Sequence, residues 1–240
     1  MYRQPLSMVE WGAGVVKQPG REFCGRGFRD AMSGGAVSRH VIPRDHWSRL
    51  YNYPLTTVMG QPTPHPPALL ILAAFSRHDE ALRWARHRAA GAWGEIVLES
   101  PVFDFHQTDY YEPTMGPGLR KVFWGFWELL DPTELVAVKL QTNRWEGQYA
   151  ALGKHAEPRP LNLDPGYLTL GKLVLASTKD FAHRLYLDQG IYAEITLWWR
   201  HGRWQHHAWT FADYRRADYQ AFFAQAREYL HGRLRQEGAK

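Results

Sequence analysis

Cysteine is nearly absent: Cys24 stands alone among 240 residues. A disulfide framework within the chain is excluded, and a reducing cytoplasm is the expected location. Long apolar runs are missing too, and nothing approaches the roughly 18 residues of a membrane span. Met1 to Glu10 has no basic stretch followed by an apolar one, so no signal peptide is read. Charge of one sign is scarce over most of the chain. The formal net charge is +5, but residues 1–58 hold 8 of the 29 Lys and Arg and only 4 of the 24 Asp and Glu. The rest is balanced to within one charge, which weakens an electrostatic case for nucleic acid. What the chain does have is 45% apolar and 14% aromatic residues, enough for one sizeable core.

Residues 1–67 are rich in Gly, Arg and, at their end, Pro, with no sustained period of 2 or 3.6. They are read as a poorly ordered extension, with Met59 as an alternative start and a small docking subdomain as the rival reading. One domain is expected over 68–236. Ala68–Phe75 is a continuous apolar run, the mark of a central strand. Ser76 with Asp79 three residues on suggests a helix start, and Gly91 its end. Strands are expected at Glu95–Glu99 and Leu119–Leu130, with a strand and loop at Val102–Tyr111. Asp131-Pro132-Thr133-Glu134 opens a second helix, along which Leu135, Val138, Thr142, Trp145 and Tyr149 fall at helical spacing. A short strand follows at Leu161–Asp164, broken by Pro165-Gly166.

Leu170, Leu173 and Val174 then share one helical face, so Thr169–Ser177 is read as a short helix. A meander of His183–Leu187, Ile191–Arg200 and Arg203–Trp209 comes next, with turns at Asp188-Gln189-Gly190 and His201-Gly202. Tyr219, Phe222, Phe223, Ala226 and Leu230 mark a closing helix over about 215–235. The order predicts an α+β fold: a mixed or antiparallel sheet, helices on one face, a first half of ferredoxin-like order, then the meander and the C-terminal helix.

The densest polar cluster runs from Asn162 and Asp164 through Lys172 and Lys179 to His183 and Arg184, with Glu194 on the adjacent long strand. Lysines and Arg184 suit an anionic ligand. Asp164, Glu194 and His183 are the candidates for proton transfer, with the two carboxylates also open to metal ligation. The bland alternative is an ion-pair network pinning the helix to the sheet. Thr108, Tyr110 and Tyr111 form a second set, suited to phosphate, sugar or base recognition, or else to a capped turn. Lys139, Thr142, Asn143 and Glu146 stripe one side of the second helix, which could face the same cleft, although a solvated face is the default.

Several motifs fall short. Gly166 to Lys172 spells the first seven positions of a P-loop, but Leu173 stands where Ser or Thr must hold Mg²⁺. His106-Gln107-Thr108 is half of a two-histidine phosphoesterase motif, and its only partner, His46-Trp47-Ser48, lies in the extension. His206 and His207 are adjacent on a strand and point to opposite faces, so with His201 they make no metal site. Trp124, Trp127, Trp198, Trp199 and Trp204 read as sheet packing.

The strings FDFHQTDYYEPTMG (103–116), NLDPGYLTLGKLVLASTKDFAHRLYL (162–187), GIYAEITL (190–197) and Trp209–Tyr214 closely resemble an uncharacterised bacterial family known as domain of unknown function 4416. The resemblance covers about 59–236. It implies a domain starting near Met59 and, through a GTP-binding label on some members, a ligand at the same polar cluster. Leu173 argues against a working P-loop behind that label. The leading expectation is a small-molecule site for a nucleotide or other phosphorylated ligand, with no cofactor, reaction or oligomeric state implied. The alternative is an interaction module for RNA or a protein partner.

Overall fold

Nine residues without a charge, Ala68–Ser76, form the strand β1, and every one of them is buried. A strand can be covered on both sides only inside a layered structure, and the computed structural model, which describes residues 62–238, has that form. Most of the expected extension, up to Gln61, lies outside the described residues. After β1 come α1 (Asp79–Trp93), β2 (Ile96–Glu99), β3 (Phe103–Asp104), α2 (Glu112–Met115) and β4 (Arg120–Leu130). A 3₁₀ turn leads into α3 (Leu135–Ala150). The strands β5 (Asn162–Leu168), β6 (Lys172–Ser177), β7 (Leu185–Asp188), β8 (Ile191–Arg200) and β9 (Arg203–His206) follow, and α4 (Ala217–Gly238) closes the chain. The fold is α+β with one antiparallel sheet ordered β2-β4-β1-β5-β6-β8-β7, β3 joining β4 and β9 joining β8.

The alternation of β1 sorts the helices. Leu70, Leu72 and Ala74 pack with Ala81 and Ala85 of α1 and Val138 and Trp145 of α3. Leu69, Ile71 and Ala73 pack with Tyr219, Phe223 and Leu230 of α4. Helices therefore cover both faces, which corrects the expectation of helices on one face. A nearly continuous apolar strand needs cover on each side.

Residues Thr169–Ser177 are not helical. Asn162–Leu168 and Lys172–Ser177 form a hairpin, and Thr169 shapes its turn: its hydroxyl accepts from the amides of Gly171 and Lys172 at 3.2 and 3.1 Å. The P-loop-like string is thus strand, turn and strand, with Gly166 in β5 and Lys172 opening β6.

Other boundaries shift by local chemistry. Ser76 does not cap α1: its hydroxyl accepts from the His78 amide at 3.0 Å and donates to the Pro160 carbonyl at 2.6 Å. The helix runs past Gly91 and stops at Gly94. Asp131 behaves as expected, accepting from the Thr133 amide at 2.9 Å. In both meander turns the two central residues have positive φ, Gln189-Gly190 and His201-Gly202, the geometry that matches strand twist in a two-residue hairpin. No described helix is long and apolar enough to cross a membrane.

Candidate functional site

The ladder between β5 and β6 ends at the rung Gly166–Leu175. Beyond that rung the two strands part, and Asn162 and Asp164 on one side and Ala176 and Ser177 on the other line a shared cavity of about 540 Å³. Pro165 sits where β5 leaves the β6 ladder, so its missing N–H removes no rung on that side. β5 itself runs unbroken through Pro165-Gly166 to Leu168, paired with β1 throughout, which corrects the expected short strand ending at Asp164; what stops there is the β6 ladder.

The cavity draws on both faces of the sheet. Lys139 and Asn143 come from α3, and Asp213 and Tyr214 from the turn before α4. Thr108, Tyr110 and Tyr111 come from the loop before α2, and Lys179, Phe181 and Arg184 from the loop after β6. Of the residues singled out in the sequence, the structure brings together Thr108, Tyr110, Tyr111, Asn162, Asp164, Lys179, Arg184 and Glu194. It leaves out Lys172, which lies at the far end of β6 opposite Trp198. The helix that was to align Lys172 with Lys179 is a strand. His183 is not part of the lining, but its Nε2 lies 3.3 Å from Glu194 Oε2.

Three carboxylates are each tied to a cation. Glu194, 3% exposed, accepts from Arg184 at 2.8 Å, while Arg184 also donates to the Ser177 hydroxyl and the Lys179 carbonyl. Asp164 accepts from Lys139 at 3.1 Å and from Asn162 at 2.7 Å. Lys121 and Asp213 meet at 2.7 Å, both almost fully buried. The Lys121 ammonium lies within 6 Å of five ring centroids, Tyr214 at 4.5 Å being the nearest. Sequence reasoning missed this pair. The available signal was a lysine directly before the uncharged, aromatic-rich run Val122–Trp127 of β4.

The α3 stripe departs from the default of a solvated face and takes the other course, toward the cleft, with Lys139 and Asn143 in the lining. Lys139 and Thr142 are buried, and Glu146 accepts from the Leu163 amide at 2.7 Å and from Arg159 at 2.9 Å. The stripe fastens the helix to β5 and to the cavity wall; it is not a solvated face. Burial pushes the Glu146 carboxyl above its ordinary value, against the pull of Lys139 and Arg159. Arg159 also donates to Asn162.

At the rim, Lys179 donates to the Tyr110 hydroxyl and lies over its ring at 4.4 Å. That hydrogen bond and charge hold the Tyr110 phenol below its ordinary range. Burial, with Asp164 nearby, pushes the Tyr111 phenol up. Among the described residues no group of three or more His, Cys, Asp or Glu is placed to hold a metal ion.

Asp164 gives a pH prediction. Burial raises its carboxyl, but Lys139, Lys121 and Arg159 together pull harder, so it titrates below its usual 3.8. A folded value below the unfolded one supplies stability that is full above the unfolded value and lost as pH falls through the folded one. Asp164→Asn leaves Lys139 without its counter-charge and should cost about 2 kcal/mol at pH 7, a figure discounted for partial exposure. The deficit should shrink below about pH 4. Thermal unfolding of both proteins at pH 7 and pH 3 checks this, and an equal deficit at both pH values counts against it.

An antiparallel α+β sheet opened between two strands, with an aromatic-walled cavity floored by ion pairs, is the class that fold and site define. The chain belongs to the family described as Domain of unknown function (DUF4416), which matches residues 66–229. No curated protein and no solved structure matches it.

Proposed function

We propose that the cavity binds a small anionic molecule with a flat ring, a nucleotide or similar phosphorylated compound. The observation that supports this is the balance of the lining. Five cations, Lys121, Lys139, Arg159, Lys179 and Arg184, face three carboxylates, Asp164, Glu194 and Asp213, between walls that include Phe75, Phe105, Phe181 and Phe211. Asp164 and Glu194 serve in this reading as anchors, holding Lys139 and Arg184 in place. Lys179 at the rim, bonded to a phenol and, among the described residues, paired with no carboxylate, is the cation best placed to meet a phosphate. A protein working in the cytoplasm, where such ligands are abundant, fits the single cysteine.

The test is a thermal-shift screen of the full chain against nucleoside monophosphates, diphosphates, triphosphates and sugar phosphates. A ligand at about 100 times its dissociation constant stabilises by about 2.7 kcal/mol, several degrees in the midpoint. Lys179→Ala should remove the shift and Lys172→Ala should keep it. No shift in the wild type from any compound sinks the proposal and favours an interaction module for RNA or a protein partner.

A further inference from the structure

Most charged side chains of the cavity wall are paired: Lys121 with Asp213, Lys139 with Asp164, Arg159 with Glu146, and Arg184 with Glu194. Asn143 is different. It lines the cavity and is only half-buried, and its side chain makes no hydrogen bond among the described residues. Nor is it sealed off. The buried side-chain atoms without a partner are Trp204 Nε1, Tyr214 OH and Tyr219 OH, and neither amide atom of Asn143 is among them. The Asn143 carboxamide is therefore accessible, with donors and an acceptor to offer.

Its place on α3 holds it still. Four residues before it, Lys139 donates to the Leu163 carbonyl at 2.9 Å and to Asp164 at 3.1 Å. Three residues after it, Glu146 accepts from the Leu163 amide at 2.7 Å. Residues three and four apart share a helix face, so Asn143 stands between two side chains that fasten that face to β5. A group preorganised in this way loses little freedom on binding. Thr142, the remaining member of the stripe, donates to the Lys139 carbonyl at 2.9 Å.

The chemistry of a carboxamide narrows the ligand. It is planar and uncharged, and it presents N–H and C=O side by side. That pair matches an edge where an N–H adjoins a ring nitrogen or a carbonyl. Every nucleobase carries such an edge, and a phosphate does not. A sugar hydroxyl can bond either amide atom but offers no flat face. The lining does suit flat faces: the rings of Phe75, Phe105 and Tyr111 pack on one another at centroid distances of 5.0, 5.4 and 5.8 Å.

We infer that Asn143 reads the edge of a nucleobase, so that the ligand is a nucleotide and not a sugar phosphate. This rests on the phosphorylated-ligand reading above and adds to it the class of ligand and a specificity residue.

Calorimetric titration of the full chain would use the 5′-monophosphates of adenosine, guanosine, cytidine and uridine, with ribose 5-phosphate and inorganic phosphate. At least one nucleotide should bind wild type more than about tenfold tighter than ribose 5-phosphate. Asn143→Leu should weaken that nucleotide about tenfold, the effect of one or two lost hydrogen bonds, and leave ribose 5-phosphate unchanged. The free Asn143→Leu protein should melt close to wild type, because the amide it loses has no protein partner. Asn143→Asp keeps the shape and replaces the donor. Measured against ribose 5-phosphate, which corrects for its charge, it should weaken the nucleotide and alter the preference among the four bases.

A wild type that binds ribose 5-phosphate as tightly as every nucleotide overturns the inference and leaves the phosphorylated-ligand reading standing. So do losses in either variant that are equal for nucleotide and ribose 5-phosphate, or nucleotide binding and base preference that match wild type in both. If free Asn143→Leu melts several degrees lower, the isosteric Asn143→Asp decides by the same criteria. Binding of no compound by wild type removes the phosphorylated-ligand reading itself and the inference with it.

Discussion

Gly166→Ala should destabilise the protein by about 3 kcal/mol, while Gly171→Ala, five residues on, should change stability by less than about 0.5 kcal/mol. An added Cβ at Gly166 would stand 2.3 Å from the Val174 carbonyl oxygen and 2.7 Å from Leu175 Cδ2. Neither distance is tolerable, and the first obstacle is backbone, which cannot rotate aside. At Gly171 a Cβ meets nothing within 4 Å. Gly166 forms the last rung of the β5–β6 ladder, so the clash falls where the sheet opens into the cavity. The variant should lose ligand binding together with stability. Urea unfolding of both variants measures the difference. For a domain of this size 3 kcal/mol corresponds to a midpoint lower by roughly 6–12 °C. A neutral Gly166→Ala, or a Gly171→Ala of equal cost, is incompatible with the hairpin. A phosphate loop would instead place demands on both glycines.

That hairpin marks the limit of what the sequence reveals. Leu170, Leu173 and Val174 do sit three and four apart, but in a strand buried on both faces the apolar residues are continuous and any spacing can be found among them. Leu173, Val174, Leu175 and Ala176 are all buried, a run of four that fits a covered strand better than one face of a short helix. β1 was legible as an uninterrupted apolar run of strand length behind a Pro-rich entry, and α3, β8 and α4 because each is long and carries a helical period or is bounded by a cap or turn with its own chemistry. The side of the sheet each helix covers was not legible, because it depends on which face of β1 is free when the helix arrives.

The candidate site was half legible for a related reason. The loop and strand residues Thr108, Tyr110, Asp164, Lys179, Arg184 and Glu194 do meet, because β5, β6 and β8 are neighbours and Asp164, Lys179 and Arg184 lie near one sheet end. Lys172 does not, because a strand carries residues 172 and 177 to opposite ends where a helix would have kept them close. Lys121 and Asp213 are 92 residues apart, and nothing local joins them.

That distant pair carries the other large prediction. Lys121→Met should cost about 4 kcal/mol and Asp213→Asn about 2 kcal/mol. Breaking a buried pair strands the remaining charge, but the two remainders here are not equivalent. After Asp213→Asn, the Lys121 ammonium still faces the rings of Phe75, Phe105, Phe123, Tyr214 and Tyr219, whose negative faces attract a desolvated cation. After Lys121→Met, the Asp213 carboxylate is left beside those same faces, which repel it, and beside the charge of Glu194 and Asp164 lining the same cavity. The double variant should be more stable than Lys121→Met alone, because it removes the stranded carboxylate. A double-mutant cycle by urea unfolding reads all four corners. Equal single costs would mean that the aromatic cage adds nothing to the ion pair. A costlier Asp213→Asn would mean that Lys121 is held by its carboxylate alone.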